Sequence, residues 1–158
     1  MDGSLDDLRG LYTYPTFGQY FWPPETAVVK VSMSVAVFLT PQISCPWNAM
    51  ELDSLRTLLP LLIERGQRMV AVCAPGDSVG VAQLLDSVGL SIQLSTAESE
   101  QFNLSQMGIS PGFMPFKVLY DSNYTAIYMR GGDSSPESQS DFMAAARRLS
   151  RLAWEGNL

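Results

Sequence analysis

The sequence predicts an α/β domain: a mixed central sheet with helices on both faces. Three observations carry this. Two short valine-rich runs, residues 34–39 and 69–74, are the length of strands, and each leads into a longer stretch of helical period. Two further apolar runs, 116–120 and 125–129, bracket Asp121, Ser122 and Asn123, residues that favour a tight turn. A final pattern of helical period closes the chain. Strand–helix–strand units demand parallel pairing and a hairpin demands antiparallel pairing, so the sheet must be mixed.

The elements follow in order. Residues 1–26 form an arm rich in aromatics and turn formers (Tyr12, Tyr14, Phe17, Tyr20, Phe21 and Trp22 among Pro15, Pro23 and Pro24). Six aromatic rings need burial, so the arm is expected to pack on the domain formed by residues 27–158; a partner-binding surface is the alternative. After the strand at 34–39, Pro41 and Pro46 mark a loop. The next helix aligns Leu52, Leu55, Leu58, Leu59, Leu62 and Ile63 on one face, carries Pro60 internally and stops at Gly66. The strand at 69–74 ends at Pro75 and Gly76. Asp77 or Ser78 can cap the following helix, which presents Val81, Leu84, Leu85 and Val88 and ends at Gly89. Residues 90–94 alternate as a half-exposed strand and 98–107 suggest a brief helix. The last helix, 138–154, turns Phe142, Ala145, Ala146, Leu149, Leu152 and Ala153 inward.

Composition excludes several functions. At 158 residues, with 46% hydrophobic and 16% charged, the chain can bury a core without disulfides or metals. A net charge of −6 opposes binding to a phosphate backbone, so no nucleic-acid partner is expected. Arg147, Arg148 and Arg151 read as a solvated face near a helix C-terminus. The absence of histidine removes Ser-His-Asp and Cys-His catalysis and histidine metal sites. Two cysteines do not make a zinc site, and no cofactor is implied. No apolar run reaches the length of a membrane span, and the acidic start is unlike a signal peptide. A cytoplasmic location is expected if the chain is complete, and a periplasmic or extracellular one if an export signal has been removed.

The chemistry centres on Cys45, which follows a strand and precedes a helix. Amides at a helix N-terminus favour an anion, so a thiol there loses its proton more readily and becomes nucleophilic. The alternative is a small buried residue in a tight loop. A second segment, from Gly108 through Met114 and Pro115 to Asp121, resembles the thioredoxin-superfamily stretch in which a glycine-bearing loop ends in a cis-proline and opens a strand. A proline lacks an N–H, so it begins a strand without wasting a donor.

Cys45-Pro46-Trp47-Asn48-Ala49-Met50-Glu51-Leu52 is similar to the Cys-Pro-x-Cys-x-x-Glu-Leu/Met helix start of TlpA-like redoxins, the branch related to AhpC/TSA proteins. The resemblance spans residues 34–154 and implies a thioredoxin-like fold. It makes Cys45 the attacking thiol, and Pro46, Trp47, Asn48, Met114 and Pro115 the walls of a substrate groove. It also implies thiol–disulfide exchange with a protein or small thiol/disulfide partner. Asn48 occupies the second cysteine position, which rules out the ordinary vicinal disulfide. Peroxiredoxins place a threonine three residues and a proline seven residues before the attacking cysteine. Gln42 and Phe38 stand there, so a thiol peroxidase is only a minor alternative, and a non-catalytic binding module is the main rival. Cys73, near the end of the second strand, is read as a core residue, with a resolving role for Cys45 as its alternative. Trp47 would offer an apolar contact surface beside the thiol.

Overall fold

In the computed structural model, residues 31–42, 46–96, 115–123, 125–130 and 135–158 are described, with Pro46 and Trp47 described through their backbone alone. Five strands form one sheet: β1 Met33–Phe38, β2 Arg68–Cys73, β3 Gln93–Thr96, β4 Phe116–Asp121 and β5 Ala126–Arg130, in the order β3-β2-β1-β4-β5. β1 pairs in parallel with β2, and β2 with β3; β4 runs antiparallel to both β1 and β5. The helices are α1 Pro46–Glu64, α2 Ser78–Val88 and α3 Pro136–Trp154, with a short 3₁₀ turn at Pro75–Asp77. This is the mixed sheet with helices that the sequence predicts.

The central strand β1 is buried along its whole length and on both faces, which accounts for a run that is apolar at every position but Ser34. Val35, Val37 and Leu39 join Met69, Ala71, Cys73 and Leu119 on one side of the sheet. There they meet Leu52, Leu55, Leu58 and Leu62 of α1, Val81, Leu84 and Leu85 of α2, and Phe142, Ala146, Leu149 and Ala153 of α3. Burying each such leucine is worth about 1.5–3 kcal/mol, so this cluster dominates the fold's stability. On the other side, Phe38 and Phe116 meet edge to face with centroids 6.5 Å apart.

Local chemistry sets the element ends. α2 stops at Gly89, whose φ of 71° is left-handed backbone that glycine adopts without strain. Asp121 Oδ1 accepts from the amides of Asn123 and Thr125, which turns the chain from β4 into β5. Ser135 caps α3, its hydroxyl accepting from the Ser138 amide, and Pro136 takes the first helical position, two residues earlier than the pattern suggests. Asp77 stands at the cap position of α2 but its side chain makes no cap bond.

Three expectations shift. Ile63 is 63% exposed although it continues the leucine pattern of α1: it lies about 100° round the helix from the buried Leu62, at the margin of the inward stripe. The edge strand forms at Gln93–Thr96 rather than 90–94: Leu90 is drawn into the core and its amide binds the Leu85 carbonyl. The helix expected at 98–107 lies outside the described residues, as does the arm at 1–26.

Candidate active site

The site is assembled at one edge of the sheet. β1 ends at Phe38, and Leu39 extends its pairing by one bond, its amide donating to the Val72 carbonyl at 2.9 Å. Since β4 is antiparallel to β1, with Phe38 opposite Phe116, the entry to β4 lies beside the exit from β1. Pro115 therefore sits at the edge from which the chain leaves toward Cys45. α1 begins at Pro46, immediately after that cysteine in the chain. Cys45 and Met114 lie outside the described residues, and so does the question of a cis bond before Pro115.

Asn48 and Pro115 face the same small space. They line a cavity of about 10 Å³ with Leu39, Thr40 and Gln42 from the loop after β1, Leu52 from α1 and Leu84 from α2. That volume is the size of a single water molecule, so the first turn of α1, the loop and the start of β4 are closely packed. Asn48 is buried. The loop is seated from the other side by α2. A Cβ on Gly80 would stand 2.6 Å from Pro41 Cβ, a distance no real pair adopts, so only glycine lets α2 approach so closely.

One turn further along α1 lies a feature the sequence reading missed. Glu51 forms an ion pair with Lys117 of β4, their side chains 3% and 1% exposed. The Lys117 ammonium also lies 4.9 Å from the centre of the Phe142 ring, on α3. The pair thus ties the helix that follows Cys45 to the strand that follows Pro115, and both to the terminal helix. A signal for it exists in the sequence. Lys117 shares the strand parity of Leu119, a core residue, so a lysine there must point inward.

Cys73 ends β2 at the same edge, where Phe38 pairs with Val72. It is a free thiol, buried within the main core cluster. Burial first, and the nearby Asp77 carboxylate second, push its pKa up. A raised pKa disfavours the nucleophilic thiolate there. Among the described residues no group of His, Cys, Asp and Glu could hold a metal ion, and no helix is long and apolar enough to cross a membrane.

No family model matches the chain, and no curated protein matches it. Solved structures do. A secreted disulfide oxidoreductase of Mycobacterium tuberculosis, homologous to E. coli DsbE, matches with a TM-score of 0.57 at 16% identity, over 77% of this chain and 85% of its own. A thioredoxin-family thiol:disulfide interchange protein of Chlorobium tepidum matches with a TM-score of 0.57 at 18% identity, over 82% and 84%. The peroxidoxin BcpB of M. tuberculosis matches with a TM-score of 0.55 at 15% identity, over 77% and 83%. The fold is thioredoxin-like. In thioredoxin-like terms the described core is a strand–helix–strand unit (β1-α1-β2), a hairpin (β4-β5) and a terminal helix (α3). β3 adds an edge strand beside β2. The redoxin resemblance read from residues 34–154 and the structural neighbours agree on this architecture.

Proposed function

We propose that this chain is a thiol–disulfide exchange protein acting through Cys45 alone. The observation that supports it most is that Asn48 and Pro115 line one small cavity at the sheet edge where α1 begins, which puts the two segments of the redoxin resemblance at the same place. Amides in the first turn of α1 would stabilise a thiolate at position 45. That thiolate attacks one sulfur of a partner disulfide, forms a mixed disulfide and releases the other sulfur as a thiolate. An external thiol, deprotonated, then attacks the partner's sulfur in the mixed disulfide, takes the partner onto itself and returns Cys45 as thiolate. One disulfide is consumed and one formed, so the cycle needs no other oxidant. Asn48 cannot resolve the intermediate, and the raised pKa of the Cys73 thiol favours an external resolver over an internal one. The partner would be a protein or a small disulfide, with Pro46, Trp47, Met114 and Pro115 as its groove.

The test is intact mass after incubation with a small disulfide, with site-resolved alkylation across pH. One adduct on Cys45, and Cys45 alkylation that is already fast below a free thiol's pKa of about 8.5, are expected. Asn48→Cys should then close a disulfide with Cys45 and confer dithiol reductase activity. A Cys45 that stays unmodified, or that reacts only above pH 8, overturns the exchange reading in favour of a non-catalytic binding module.

A further inference from the structure

At the far end of α1, about 25 Å along the helix from its start, four arginines converge on one groove. Arg65 follows the C-terminus of α1, and Arg147, Arg148 and Arg151 come from α3; Leu61 completes the lining of a space of about 530 Å³. These are four of the chain's ten basic residues, gathered in a protein of net charge −6. Ion pairs elsewhere hold Arg56 and Arg130, but among the described residues no carboxylate pairs with Arg65, Arg147 or Arg151. Arg65 is braced by the Ser150 hydroxyl at 3.0 Å and lies 5.4 Å from the centre of the Trp154 ring, which is itself 61% exposed. The groove therefore offers both positive charge and apolar surface.

The chain enters the fold beside this groove. Gln67, buried between α1 and β2, donates from one amide nitrogen to the Ser32 hydroxyl at 3.1 Å and to the Ser150 carbonyl at 3.0 Å. Ser150 is the residue that braces Arg65 and precedes Arg151. Ser32 is thus anchored at the groove's edge, and thirty residues precede Val31. Their first eight include Asp2, Asp6 and Asp7 beside Leu5 and Leu8, with aromatics following from Tyr12. We propose that the arginine groove is the dock for this chain's own N-terminal segment, with Asp6 and Asp7 against Arg147 and Arg151 and its leucines against Leu61 and Trp154. Attachment at Ser32 supplies a high effective concentration, and the charge pattern supplies the register. The dock is remote from Cys45 and independent of its chemistry.

Proteolysis of the full chain by a protease that cuts after aromatic residues tests the proposal, reading cleavage between residues 12 and 22. Arg147→Glu with Arg151→Glu, and separately Asp6→Lys with Asp7→Lys, should each accelerate that cleavage about tenfold, as should about 0.5 M salt. Combining both pairs of reversals should restore the slow rate. Both arginines are exposed, so the reversals leave the core intact. As a second measurement, Arg151→Lys introduces an amine that a carbodiimide should join to Asp6 or Asp7 within one chain. Cleavage indifferent to the arginine reversals, a combined variant no slower than either pair, or a crosslink found only between two chains would overturn it.

Discussion

Glu51 and Lys117 show how much one buried pair decides. Each charge loses its water on folding, and only the partner and nearby groups compensate that loss. Lys117→Met should therefore leave a buried carboxylate uncompensated and destabilise the fold by about 3–5 kcal/mol, measured by urea unfolding. Adding Glu51→Leu should recover most of that loss; a double variant as unstable as the single one would show that the pair is not the cause. Sequence reasoning placed Glu51 in the helix-start motif, because spacing along a helix is a local property. It passed over Lys117, because whether a strand lysine is exposed depends on what covers that face. Here α1 and α3 cover it.

Among the elements, α2 and the loop after β1 depend on Gly80. Alanine is the better helix former by roughly 1 kcal/mol, so propensity alone makes Gly80→Ala stabilising. Its Cβ would instead overlap Pro41, and the net result should be a loss of about 1–3 kcal/mol with the loop toward Cys45 displaced. If thermal unfolding shows Gly80→Ala to be as stable as the parent, the close approach is wrong. α1 carries the opposite case. Pro60 is exposed and removes the amide that would bind the Arg56 carbonyl, so Pro60→Ala should stabilise the helix by about 1–3 kcal/mol in the same assay. An unchanged or lowered unfolding temperature would mean that the helix geometry around the proline is itself required by packing. The leucine face of α1 and its end at Gly66 were legible in its sequence; the exposure of Ile63 was not, since periodicity marks a face but not where its margin meets solvent.

Across the whole molecule, burial also sets the alkaline limit of stability. Cys73 holds its proton to a higher pH folded than unfolded, through burial and then Asp77, and Tyr120 does so through burial alone. Below the ordinary thiol range both states of Cys73 are neutral and its contribution is full. As pH rises past about 9 the unfolded chain releases that proton while the folded chain retains it, so stability falls. Cys73→Ala should lower stability by a constant amount near pH 7, and the gap to the parent should narrow between pH 8.5 and 10; a gap independent of pH would contradict the raised thiol. Tyr120 is present in both chains and cancels in that difference. The sequence by itself determined the order of elements, the mixed sheet, the thioredoxin-like resemblance and the residues that flank Cys45, because hydrophobic period, turn chemistry and motif spacing are local. Tertiary structure alone decided the contacts between distant segments. It joined Glu51 to Lys117, set Gly80 against Pro41 and drew Arg65 beside the arginines of α3. Each of these depends on how helices and strands far apart in the chain pack across one sheet, and no local pattern encodes that distance.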